Sequence, residues 1–200
     1  MTAAPASSRG AATPAAGIGI VPLERFVAPV DRDGSRGSNR AAAGRCSIAA
    51  ANDSEAVAAW LRPRLPSDGQ PGHTWRAYRK ESERFLLWSV LVRGKALSSL
   101  DADDCAAYRD FIAAPPAAWI APCGAQRCSD GWRPFEGPLS TRSQATATSI
   151  LRSLCGWLVR RHYLAANPWD GVPARVEAQP MPQLRAFSPR DQKAVKAAAE

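Results

Sequence analysis

The most regular alternation of apolar and polar positions lies between Leu139 and Pro168, LSTRSQATATSILRSLCGWLVRRHYLAANP. Ala147, Leu151, Leu154 and Leu158 recur at three- and four-residue steps, which puts them on one stripe of a helix. Arg142, Thr146, Ser149, Ser153 and Arg160 form a polar stripe on another face. The pattern predicts one helix of about six turns, stopped by Asn167-Pro168 and capped by Ser140, whose hydroxyl can accept from a free first-turn amide. Arg142, Arg152, Arg160 and Arg161 carry charge here and no Asp or Glu does. Such a helix suits packing on a core while facing phosphate. An ordinary amphipathic helix with a solvated face gives the same pattern.

Three further helices are predicted by similar signals. Thr74 opens TWRAYRKESERFLLWSVLVRG, in which Tyr78, Phe85, Trp88 and Val92 keep helical spacing and Gly94 ends the element. Arg76, Lys80 and Arg84 stack at four-residue steps as a basic ridge, and Glu83 stands four residues after Arg79 to neutralise part of it. A short helix runs from Ser54 to about Leu61. It is capped by Asn52 or Asp53, buries Ala56, Ala59 and Trp60, and is closed by Pro63 and Pro66. Asp101 and Asp104 resemble a capping arrangement for a helix to about Ile112, with Cys105, Tyr108 and Phe111 as its apolar face. Capping is a better reading of these carboxylates than metal binding or acid catalysis.

Between the helices the pattern breaks. Residues 113–139 hold prolines and glycines with Trp119, Trp132 and Phe135 scattered among them. These aromatics are expected to anchor the loop on the helices rather than to stack on bases. Residues before 19 are Ala/Pro-rich and expected to be disordered, and 19–51 to form an extended arm packed on the helical region after it. After Pro168 an extended linker leads to Ser188-Pro189-Arg190-Asp191, a helix-start signal. The fold class is therefore all-α.

Charge narrows the partners. Among 200 residues the net charge is +8 and the pI about 9.8, which favours nucleic acid, or less often an anionic membrane surface. No apolar run approaches the ~20 residues of a membrane span, and the N-terminus lacks a secretory apolar core. Five cysteines, odd in number and irregular in spacing, fit a reduced intracellular protein. Cys123 and Cys128 are the only close pair and no second pair lies near, so neither metal nor other cofactor is expected.

The order Thr74–Tyr78–Arg79–Trp88, then Ser143–Arg152–Leu154–Trp157–Leu158, then Asn167-Pro168, resembles the core-binding domain of tyrosine recombinases, the phage-integrase and Xer-type enzymes. HTWRAYRKESERFLLW looks like one family helix and STRSQATATSILRSLCGWLVRRHYLAANP like another; PLERF (22–26), SSLDADDCAAYRDF (98–111) and WRPFEGPLS (132–140) resemble longer integrase-like recombinases of bacteria. The resemblance implies a SAM-like bundle of four to five helices over 51–172, with a long irregular insertion at about 113–139. It covers about residues 22 to 200 and implies, over 173–200, a linker and the first helix of a truncated catalytic domain, while composition alone makes 1–50 a disordered leader and extended arm. Such a bundle grips one face of double-stranded DNA while a separate catalytic domain grips the other.

Carried over position by position, the resemblance points to Thr74, Arg76, Arg79 and Lys80 on one helix. On the other it points to Arg142, Ser143, Gln144, Thr146 and Arg152, the last also placed to brace a neighbouring helix. The family's tyrosine nucleophile, arginines, lysine and histidines would lie beyond Glu200. The H-x-x-R spelled by His73 to Arg76 precedes any first arginine and is read as coincidence; Tyr78 and Tyr108 read as core, and Tyr163 lacks a nucleophile constellation. The expectation is a DNA-binding chain, in the bacterial cytoplasm and nucleoid, that does not cut or join DNA alone. Its partners would be DNA and other recombinase protomers, with no small-molecule substrate. A helical protein-interaction module or an inactive integrase remnant is the alternative.

Overall fold

A computed structural model describes residues 19–42, 44–66, 69–127 and 129–172. The Ala/Pro-rich leader, the linker from residue 173 and the helix expected from Ser188 lie outside them. Among the described residues there are four α-helices and no strand: α1 (Asp53–Leu61), α2 (His73–Leu91), α3 (Ala102–Ala113) and α4 (Thr141–Arg160). The described residues are all-α, with isolated bridges among them only between Arg40 and Leu164 and between Ile120 and Phe135.

Each helix but one starts where a polar side chain can take an orphan amide. Asn52 caps α1 by accepting from the Glu55 amide, and the Glu55 carboxylate accepts from the Ala51 amide in return. Asp101 and Asp104 form a complete capping box on α3. The Ser140 hydroxyl accepts from the Ser143 amide at the start of α4. The exception, α2, begins after Gly72 with no side-chain cap.

α4 does not run to Asn167-Pro168. His162 adopts a left-handed conformation (φ 55°), and the amides of Arg161, His162 and Tyr163 close on the carbonyls of Trp157, Val159 and Leu158. This turn ends the helix at Arg160 and sends Tyr163 and Leu164 back into the core. Asn167 instead caps a turn by accepting from the Trp169 amide at 3.1 Å, and Trp169 is fully buried.

α2 is the central element, with α1 and α4 packed on it and α3 packed on α4. Every residue from Glu81 to Leu91 is buried, so the single stripe read from its sequence understates its burial. Phe85 and Trp88 meet Tyr108 of α3 edge to face at 4.9 and 5.1 Å. Such contacts contribute roughly 0.5–1.5 kcal/mol each beyond the area they bury. Ala147, Leu151, Leu154 and Leu158 are fully buried, as their spacing predicts. In α1 Val57 and Leu61 join Ala56 and Trp60 inside while Ala59 is half-buried; in α3 Ile112 is buried and Phe111 half-buried.

Irregular chain packs around the helices as well. The arm is fixed by backbone bonds from the Asn39 amide to the Ser98 carbonyl (2.8 Å), from Ala41 to Tyr163 (3.1 Å) and from Ser47 to Arg161 (2.9 Å). Phe26 of the arm is buried. Within 113–139, Trp119, Trp132 and Phe135 are buried, which is the anchoring role expected of them.

Candidate nucleic-acid interface

Two contiguous grooves open along α2. The first, about 390 Å³, runs between α2 and α4 and is lined by Lys80, Arg142, Ser143 and Thr146, with the 136–140 segment as its rim. The second, about 280 Å³, runs between α2 and the 113–139 loop and is lined by Trp75, Arg76, Arg79, Lys80, Arg127 and Arg133. Lys80 lines both. Four-residue spacing puts Arg76 and Lys80 on one side of α2, and the capped start of α4 brings Arg142 to the facing wall.

The charge in these grooves is unevenly committed. The exposed side chains of Arg76, Lys80 and Arg142 have no hydrogen-bond or ion-pair partner among the described residues. The Ser143 hydroxyl accepts from Ser140 Oγ at 3.0 Å, which leaves its own proton to donate, whereas the Thr146 hydroxyl donates to the Arg142 carbonyl at 3.0 Å. The N-terminal dipole of α4 favours an anion on the same wall.

Arg127, from the loop, engages all three guanidinium nitrogens. It donates to Glu83 through Nη1 (3.1 Å) and Nη2 (2.6 Å), and to Glu24 of the arm through Nη2 (2.7 Å) and Nε (3.3 Å). Arg79 pairs with the same Glu24, while Glu83 also accepts from the Leu23 amide at 2.6 Å. Arg79 thus pairs with Glu24 of the arm, while Glu83, which sequence spacing set beside it, pairs with Arg127. Arg84 also leaves the expected ridge. It is buried, donates to the Pro134 carbonyl (2.8 Å) and Glu81 (2.9 Å), and lies 4.3 Å over the Phe135 ring. Arg133 is turned onto the carbonyls of Ala118, Asp130 and Trp132.

The residues singled out from sequence therefore divide. Arg76, Arg79, Lys80, Arg142, Ser143 and Thr146 come together along the two grooves. Thr74 lies on the exposed first turn of α2, outside the lining of either. Gln144 is buried, and its amide donates to the Leu139 carbonyl at 2.7 Å, so it fastens the loop to α4 instead of facing outward. Arg152 points elsewhere and donates to the Val172 carbonyl, bracing the chain after α4. Arg127 and Arg133 were not legible in the sequence, because their loop has no periodicity from which to assign a face.

The tyrosines sit apart from this surface. Tyr108 and Tyr163 are fully buried, and burial pushes both phenols up; the neighbouring Asp53 pushes Tyr163 further. Burial likewise pushes the Cys105 and Cys155 thiols up, which keeps them protonated. The described cysteines are free, and Cys128 lies outside the described residues. Among the described residues no cluster of three or more His, Cys, Asp and Glu could hold a metal ion, and no helix is long and apolar enough to cross a membrane. Comparison of the chain with family models, with curated proteins and with solved structures finds no match in any of the three.

Proposed function

We propose that this chain is a DNA-binding module, the SAM-like core-binding domain of a site-specific tyrosine recombinase, which holds double-stranded DNA in the grooves along α2. The observation that carries the reading is the convergence of Arg76, Lys80 and Arg142, three exposed cations without partners among the described residues, on two faces of one groove system. A buried or paired arginine costs more to redirect than a solvated one, so these three are the groups ready to neutralise phosphate. The Ser143 hydroxyl adds a donor, and the N-terminal dipole of α4 a favourable field, that position a backbone without reading sequence. Base readout falls to the arginines, since Gln144 is committed internally. DNA and further recombinase protomers are the partners, in the bacterial cytoplasm and nucleoid, and strand cleavage belongs to a separate catalytic domain. Duplex binding by the chain, and its weakening by Lys80→Ala with Arg142→Ala, is the test.

A second reading is a protein-interaction module. It is favoured by Val27 and Val30 of the arm, which are 83% and 76% exposed.

A further inference from the structure

The Glu24 carboxylate occupies a position that suits a phosphate. It lies between Arg79 and Arg127 and accepts from both, taking the Nε–Nη2 edge of Arg127 at 3.3 and 2.7 Å. A phosphodiester presents two unesterified oxygens with one negative charge, so it fits the same guanidinium fork as a carboxylate. Both arginines line the groove that holds Arg76 and Lys80, while Glu24 meets Arg79 from an adjoining hollow lined by Leu23 and Trp75, so an anion held by the two arginines would sit at the edge of the same track.

The two carboxylates around Arg127 differ in what holds them. The Glu83 side chain is 3% exposed and also accepts from the Leu23 amide, so withdrawing its partners would strand a buried charge. The Glu24 side chain is 49% exposed. Its pairs are screened by water and worth little, and its carboxylate can turn out to solvent while Leu23 keeps the arm docked.

We propose that Glu24 is an intramolecular phosphate mimic. A phosphate of the bound nucleic acid displaces it from Arg79 and Arg127, so that the arm tunes affinity by competing for this anion site. The inference rests on the DNA-binding reading for its natural ligand, but the exchange itself needs only an anion.

Two probes on the full chain separate the two ideas. One is anisotropy of a labelled duplex; the other is inorganic pyrophosphate followed by tryptophan fluorescence, because Arg79 lies 5.3 Å over Trp75 and Arg127 5.3 Å over Trp132. Glu24→Gln keeps the shape and removes the charge. It should tighten both ligands by about three- to tenfold and steepen the salt dependence, as expected when a competing surface carboxylate is removed. Tighter pyrophosphate binding with no duplex binding by either form would uphold the exchange and remove the DNA reading. Duplex binding by both forms, with affinity equal or weaker in the variant, would overturn the exchange and leave the DNA reading standing. No gain with either probe would overturn the exchange.

Discussion

The Tyr163 phenol donates a 2.8 Å hydrogen bond to Oδ1 of Asp53, where water reaches neither side chain. Asp53 opens α1, and Tyr163 comes directly after the left-handed turn that ends α4. Oδ2 of Asp53 accepts from the Ser98 amide at 3.0 Å, and Arg40 of the arm lies 3.9 Å over the Tyr163 ring. Gly34 closes the cluster. A Cβ there would stand 2.1 Å from the Asp53 carboxyl carbon, and its φ of 89° favours glycine. Asp53 thus ties α1 to three other parts of the chain: its carboxylate holds the segment before α3 and the chain after α4, and its amide donates to the Asp33 carbonyl of the arm at 2.8 Å.

This tie predicts a pH-dependent stability. Burial, the largest influence on Asp53, raises its pKa above the ordinary carboxyl value. The folded chain therefore keeps this proton to a higher pH than the unfolded chain does, and unfolding releases it in that window. The contribution of Asp53 is greatest below the ordinary carboxyl pKa and declines as pH rises through its raised value. Urea titrations should show Asp53→Asn gaining on the wild type over that rise, and a difference constant with pH would contradict this. Tyr163→Phe should cost about 1–3 kcal/mol by leaving a buried acceptor with one partner fewer.

The start of α3 separates two acids that look alike in sequence. The Asp104 side chain has no exposure and accepts from Arg93 Nε and Lys95 Nζ, each at 2.7 Å. Asp101 is largely exposed and contributes its cap. Asp104→Ala should cost about 2–3 kcal/mol and Asp101→Ala about 1 kcal/mol, measured by chemical denaturation. The Asp101 pKa is lowered chiefly by the Asp104 amide, so its share is present at neutral pH and fades as pH falls through the carboxyl range. Equal losses for the two substitutions would contradict the assignment.

Gln144 gives a third prediction. Because its amide is spent on the Leu139 carbonyl, Gln144→Ala should lower stability by about 1–2 kcal/mol and leave duplex affinity unchanged. A fall in affinity at temperatures where the variant is fully folded would restore a direct role in DNA contact.

Much of this was legible from the sequence because it is local. The Ser140, Asn52 and Asp101 caps, the stripe from Ala147 to Leu158 and the loop aromatics each rest on short-range chemistry. What escaped depends on distant chain. Arg84 keeps the spacing of a surface ridge, yet the Pro134–Phe135 segment covers it. Arg79 meets Glu24, 55 residues away, and Arg127 meets it across 103. The His162 turn escaped because a non-glycine left-handed residue leaves little trace in composition, whereas Asn167-Pro168 is a loud stop signal that the helix never reaches.

DNA binding along α2 requires that Arg76, Lys80 and Arg142 meet phosphate. Anisotropy of a labelled duplex titrated with the full chain at several salt concentrations tests it most directly. The expected log–log salt slope is at least about −3, from roughly one released counterion per phosphate contact, and shallower by about 2 in Lys80→Ala with Arg142→Ala. No binding at low salt, or a folded double variant with unchanged affinity and slope, would contradict it and leave the grooves along α2 as solvated surface.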